Sequence, residues 1–345
     1  MQSYRQTFQY HPNIGHLYVP GLKMRVPHEN GGYLVQANQA GFRSDREFEA
    51  RKANGTSRAL VFGDSITAGQ PISNKERYSD LLQTLIPDLE VYNLGLDGTG
   101  TDQQYVIFQE FAPRYEHDLV IIGIYIENIR RVVAHYRLFR KRQYIEMMGI
   151  NSDARPIFAK PYFTLGPNDE LVRHHFPVPR EPLDEADLPP NEREAVDRGG
   201  PLQMIREGLT NLGLKDMVQK LTHYQPFPAY DDPNSEGWRM LRAILVHWIR
   251  ESSTPVVICP VPAYQHVEET TDPSSYQQRF RELCAETGAI FHDPLPDFLR
   301  LSMSERRGFR YKTDLHPAAG FHRVLAESLA PCVQSLVRER AKTCP

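Results

Sequence analysis

Seven consecutive residues, Leu119-Val120-Ile121-Ile122-Gly123-Ile124-Tyr125, carry no charge and leave no face of an extended chain for water. Such a run fits a strand covered on both sides, the usual setting of a parallel sheet beneath its crossover helices. Two shorter runs repeat it: Ala59-Leu60-Val61-Phe62, and Pro255-Val256-Val257-Ile258-Cys259 closed by Pro260 and Pro262. Glu90 to Asn93 and Ala289 to Phe291 are weaker candidates. Amphipathic stretches separate them: Lys75 to Ile86, Thr101 to Phe111, Gly237 to Glu251, Ser274 to Thr287 and Pro317 to Arg340. In the last, Leu325, Leu329, Val333 and Leu336 recur at helical spacing, and Pro317 suits a first helical turn. Strand alternating with helix predicts an α/β domain with a parallel sheet of about five strands.

Two regions break the alternation. Residues 1–50 form a polar, turn-rich extension in which Gly32 to Asn38 alternates like an edge strand. The domain proper, residues 51–345, is interrupted by an insertion at 130–235 after the third strand. Its start, Arg130 to Met148, reads as a basic helix, and Pro177 to Pro201 as an exposed loop. A connection this long in a compact domain is usually a lid, a partner surface or disorder, and a lid or partner surface is the expectation here. The balance of 40 basic and 43 acidic residues gives no electrostatic reason to expect nucleic acid or an anionic membrane. No apolar stretch of roughly eighteen residues is present and Met1 to Tyr10 is polar, so neither a membrane span nor a signal peptide is expected. Cys259, Cys284, Cys332 and Cys344 form no C-x-x-C pair and read as thiols of a reducing compartment, which gives a cytoplasmic expectation.

Four short segments carry chemistry, and each has a bland reading beside the functional one. Gly63-Asp64-Ser65-Ile66-Thr67 ends the first strand, where open α/β sheets bind ligands. Ser65 there is either a nucleophile whose own N–H helps hold an oxyanion, or a helix cap. Tyr92 to Gly100 holds Gly95, Gly98 and Gly100, which bring backbone N–H groups close to a ligand or simply make a turn. Asn128, just past the third strand, is a second oxyanion donor or an Asx cap. Thr313-Asp314-Leu315-His316-Pro317 supplies a base with an acid two residues away, or caps the last helix.

Taken together and in this order, the four segments resemble the SGNH/GDSL family of serine hydrolases. The resemblance covers residues 59–128 and 255–340. It implies a three-layer α/β/α, flavodoxin-like fold, Ser65 as nucleophile, His316 as general base, and Ser65, Gly98 and Asn128 as oxyanion donors. It implies no metal and no cofactor. Asn38-Gln39-Ala40-Gly41-Phe42-Arg43 is similar to a segment that precedes the hydrolase core in some bacterial members. Two departures stand out. Thr313 occupies the family's usual acid position, leaving Asp314 as the acid in an Asp-x-His arrangement similar to that of alginate-type acetyltransferases. Ile129 stands where the family has an aspartate after its asparagine.

The resulting expectation is hydrolysis of a short acyl ester, such as O-acetyl on a sugar or a natural-product intermediate, through an acyl-enzyme. The alternatives are O-acyl transfer on the same residues and a non-catalytic binding module. The expected partner is a small-molecule or glycan ester, with self-association left open and no residue assigned to substrate binding. His174-His175 has no third ligand at metal spacing, His292-Asp293 is either structural or part of the site wall, and Glu127 reads as an exposed carboxylate. Arg130, Arg131, Arg137, Arg140, Lys141 and Arg142 read as a solvated helix face, with an anion-binding role as the lesser alternative.

Overall fold

The structure, a computed structural model, describes residues 6–138, 157–183, 185–188 and 225–343. Its centre is an all-parallel sheet of five strands: β5 (Ser57–Gly63), β6 (Leu89–Asn93), β7 (Leu119–Tyr125), β12 (Val256–Val261) and β13 (Ile290–Phe291). The spatial order is β13-β12-β7-β5-β6. Every residue of β7 is buried except the half-buried Tyr125, and all of β12 is buried, as strands covered on both faces require. Helices α2 (Tyr78–Leu85) and α9 (Ala319–Thr343) pack together on one face. On the other lie α3 (Thr101–Phe111), α4 (Glu236–Glu251) and α6 (Ser274–Thr287). Phe62, Phe108 and Trp248 join β5, α3 and α4 through ring centroids 5.2–5.8 Å apart. The expected three-layer α/β/α, flavodoxin-like fold is the one observed.

The connection from β5 runs outward to β6, and the next one crosses back to β7. Strand order therefore reverses between β5 and β7, where the loops leaving the two carboxyl ends diverge and open a crevice. Ser65 follows β5 directly, on the short helix α1 (Ser65–Ala68), and Asn128 follows β7. The topology alone thus brings both to one crevice.

The amino-terminal segment holds more strand than the alternating stretch alone predicted. It contains two antiparallel hairpins, β1 (Phe8–His11) with β2 (Gly15–Tyr18) and β3 (Lys23–Val26) with β4 (Tyr33–Gln36). The alternating stretch forms β4, an edge strand of a two-stranded sheet separate from the central one. Its polar face is explained by a local partner, Lys23–Val26, that is itself half exposed.

The segment after β7 also departs from expectation. Ile126–Arg130 is a single 3₁₀ turn, and β8 (Tyr136–Leu138) pairs antiparallel with β9 (Ile157–Ala159), so residues 131–138 are not helical. The rest of the expected basic helix, 139–148, lies outside the described residues. A second hairpin follows, β10 (Tyr162–Leu165) with β11 (Leu171–His174). Of the expected exposed loop, Pro179 to Glu181 are exposed, Val178 and Leu188 are buried, and residues 184 and 189–201 lie outside the described residues. Pro317 precedes the last helix, which begins at Ala319; Ala318 N–H donates to Phe309 O, so the chain is still in a turn there. Among the described residues no helix is long and apolar enough to cross a membrane.

Candidate active site

At the end of β5, Asp64 is the N-cap of α1: its Oδ1 accepts the Ile66 N–H at 3.0 Å. Ser65 is therefore the first helical residue rather than the cap, and its hydroxyl is released for another partner. That partner is His316. Ser65 Oγ lies 2.9 Å from His316 Nε2, and His316 Nδ1 lies 2.6 Å from Asp314 Oδ1. A carboxylate can only accept, so the ring proton sits on Nδ1 and Nε2 is left to accept the serine proton. Asp314 Oδ1 also accepts the backbone N–H of His316 at 2.8 Å. Burial pushes the Asp314 carboxyl up, but the hydrogen bonds and charge of His316 together outweigh it and hold the group at about 2. Asp314 is thus ionised at neutral pH.

The glycine-rich loop after β6 is bound tightly to the serine turn. Asn93 Nδ2 donates to Thr67 O and to Ser79 Oγ, both at 2.6 Å, and its Oδ1 accepts Gly95 N–H at 2.8 Å. A Cβ on Gly95 would stand 2.6 Å from the Ala68 nitrogen, so only glycine lets the two loops approach this closely. Gly98 has φ +75°, the left-handed region, and a Cβ there would strike the Arg137 guanidinium. Among the described residues, no protein acceptor takes the N–H of Ser65 or of Gly98.

Asn128 is fully buried, and neither its Oδ1 nor its Nδ2 has a hydrogen-bond partner among the described residues. It is therefore not an Asx cap. A buried amide left unpaired costs about 1–3 kcal/mol, so the fold carries a polar group with unmet demand beside the crevice. Arg131, three residues on, joins the loops: Nη1 donates to Thr99 O at 3.0 Å and pairs with Asp64 Oδ2 at 3.4 Å. This overturns a solvated helix face for Arg131. Arg130 donates to Pro226 O, lies over the Phe227 ring and pairs with Glu127 at 3.7 Å, while Arg137 lies against Gly98. Arg140, Lys141 and Arg142 lie outside the described residues.

Beyond Arg137 a cavity of about 320 Å³ opens, lined among others by His16, Gln103, Lys160 and Arg180. Lys160 is ion-paired with the fully buried Asp102 in the first turn of α3, which anchors the segment after β7 beside the glycine loop. Burial pushes the Lys160 amine down and the Asp102 carboxyl up, and each partner's charge opposes the shift.

The other sequence candidates have structural partners. His174 bonds Thr164 Oγ1, His175 bonds Lys160 O, and His292 bonds Ser328 Oγ. Asp293 accepts from Gln277 and from Leu295 N–H. No group of three or more metal-ligating side chains occurs among the described residues. Cys259, Cys284 and Cys332 are free thiols; Cys344 lies outside the described residues. Three contributors escaped the sequence reading: Asn93, Arg131, and the His28-Glu29-Asn30 turn described below. For Asn93 a signal existed, a polar residue ending a buried strand; a long-range arginine partner leaves none.

No family model and no curated protein matches the chain. Among solved structures, it is similar to a member of the lipolytic protein G-D-S-L family from Veillonella parvula, with 10% identity, a TM-score of 0.40, and 80% of this chain and 97% of that one covered. It is similar to the lipase/acylhydrolase from Enterococcus faecalis at 12% identity and a TM-score of 0.41, over 81% of this chain and 96% of that one. It is also similar to the acetylxylan esterase Axe2 from Geobacillus stearothermophilus at 14% identity and a TM-score of 0.39, over 80% and 93%.

Proposed function

We propose that the chain is a serine-dependent esterase acting on a short acyl ester, such as O-acetyl on a sugar or a natural-product intermediate. The observation that carries this reading is the Ser65–His316–Asp314 chain, with spacings of 2.9 and 2.6 Å, at the strand-order reversal. A serine hydroxyl is too weakly acidic to attack unaided, and a neutral imidazole aimed at it through Nε2 supplies the base.

In the proposed reaction, Ser65 Oγ attacks the acyl carbon as its proton passes to His316 Nε2. The carbonyl oxygen takes the displaced electron pair and is held by the Ser65 N–H, the Gly98 N–H and the Asn128 Nδ2 amide. None of these three donors has an acceptor among the described residues. Collapse expels the alcohol, whose oxygen takes the proton from His316, and leaves acyl-Ser65. Water then gives a proton to His316, attacks the acyl carbon and releases the acid as Ser65 recovers its hydrogen.

The test uses the full chain and its Ser65→Ala variant. The native chain should take one fluorophosphonate adduct on Ser65 and release acetate from 4-nitrophenyl acetate, and Ser65→Ala should do neither. Labelling that persists on the variant overturns the assignment. Repeating the assay with an added oligosaccharide separates hydrolysis from transfer, since acetylated carbohydrate in place of free acetate identifies an acyltransferase.

A further inference from the structure

His28, Glu29 and Asn30 lie in the turn between β3 and β4, far in sequence from the residues they touch. The Glu29 carboxylate accepts the N–H of Lys312 at 3.0 Å, and the N–H and hydroxyl of Thr313, both at 2.8 Å. Asn30 Nδ2 donates to Tyr311 OH at 3.1 Å and to Pro71 O at 3.2 Å. His28 stands edge-on to Tyr311, with ring centroids 4.6 Å apart. Three consecutive residues of the turn thus grip the segment that carries Asp314 and His316.

Within that grip His28 has a definite orientation. Its Nδ1 accepts the backbone N–H of Asn30 at 3.3 Å, which places the ring proton on Nε2. Nε2 is buried and lies 3.5 Å from Asp314 Oδ2. The two oxygens of Asp314 are therefore divided: Oδ1 takes both N–H groups of His316, and Oδ2 faces His28. With the acid only two residues from its histidine, the local turn fixes one oxygen and leaves the other to an outside group.

We propose that His28 is a positioning residue for the Asp314–His316 pair, donating to Asp314 Oδ2 and fixing the plane of the carboxylate. This rests on the reading of Ser65 and His316 as nucleophile and base. A spacing of 3.5 Å is long for a hydrogen bond, and contacts of this kind tighten when charge develops at the reacting groups. The sign of the effect is set. A donor on Oδ2 draws charge away from Oδ1, so removing it strengthens the hold of Asp314 on a protonated His316 and raises the pKa of that ring. At the same time the carboxylate gains freedom to rotate, and turnover falls.

The experiment compares the native chain with His28→Phe, which keeps a ring beside Tyr311, and His28→Gln, which keeps a donor. Three readouts are taken: an NMR titration of the His316 ring, the thermal midpoint, and kcat and KM on 4-nitrophenyl acetate. Other titratable groups facing the pair are Tyr264, Tyr311, Asp97 and His322, and Glu29 faces His28. The titration is therefore repeated on an Asp97→Asn background, because burial pushes that carboxyl up and it faces His316. The expected result for His28→Phe is an upward shift of the His316 titration, with kcat lower by on the order of tenfold to a hundredfold and KM unchanged. His28→Gln should return both towards native values. An unchanged His316 titration in a folded His28→Phe variant overturns the proposal, as does a loss of kcat that only follows a loss of folded protein. If His28→Phe does not fold, the criterion passes to His28→Gln, whose titration must lie within about half a unit of native for the proposal to stand. The titration needs no turnover: a native chain that hydrolyses no ester yet shows the shift would refute the esterase reading and leave the coupling intact.

Discussion

The amino-terminal segment and the segment after β7 are both additions to the same five-stranded sheet, but they hold opposite ends of the candidate site. The first reaches the proposed acid and base: His28 faces Asp314, and Glu29 clamps Lys312 and Thr313. The second reaches the proposed oxyanion side: Arg131 ties Asp64 to Thr99, Arg137 lies against Gly98, and Lys160 pairs with Asp102. They are also built differently. The amino-terminal hairpins bury Phe8, Ile14, Leu17, Tyr18, Tyr33 and Phe42, and Arg43 donates from within to the carbonyls of Gly69 and Ile72. The later segment is attached near the site by charged side chains. An apolar base gives a rigid clamp, whereas a buried ion pair is costly to break but can be replaced by apolar packing.

The largest effect is expected at the proton-transfer end. Asp314→Asn should keep the fold and lower kcat on the order of 10⁴-fold, because an amide leaves the imidazole in the wrong tautomer. A loss of tenfold or less would mean that another group orients His316. Lys160→Met should instead act on stability, costing about 3–5 kcal/mol in urea unfolding by leaving Asp102 buried and unpaired. Replacing Asp102 by Leu as well should restore most of it, and failure to restore would place the anchor elsewhere. Asn128→Ala should lower kcat by about 10²–10³ with little change in KM, as measured on 4-nitrophenyl acetate.

The smallest effect is at the seam between the two additions. His16, in β2, donates from Nε2 to Asp97 O at 2.9 Å; burial, with the charge of Arg137 helping, lowers its pKa to about 4. Burial likewise lowers His266 to about 4 and His322 to about 3, from an ordinary 6.5. These rings stay neutral in the folded chain where the unfolded chain protonates them. Unfolding then takes up protons, so stability is full above pH 6.5 and is lost as pH falls towards 4. His16→Gln should flatten that decline in the thermal midpoint, and an unchanged slope would assign the acid sensitivity to other groups.

Much of this was legible because burial leaves a mark on sequence. The runs that became β7 and β12 have no polar residue to place, and the stretches Thr101–Phe111 and Ser274–Thr287 carry helical bounds that the structure repeats. Ser65, Asp314 and His316 were legible as residue types at strand and helix ends, and the structure brings them together. The hairpins were not, because a short strand's partner depends on its turn and not on its own pattern. The basic stretch after Asn128 misled for a similar reason. Arg131 and Arg137 look like solvent residues until the loops they touch, around Asp64 and Gly98, are folded against them.

The proposed acid and base lie two residues apart on one turn, and Asp314 Oδ1 holds both the ring and the backbone of His316. They travel as a cassette. Were the 311–316 segment to lift from the crevice, the acid–base bond would go with it unbroken, while the link to Ser65 and the contacts with His28, Glu29 and Asn30 would part. Disassembly of the centre would then be a single event, reversible by redocking six residues, with no search needed to reunite the imidazole with its carboxylate. Chains that draw acid and base from distant elements have no such economy.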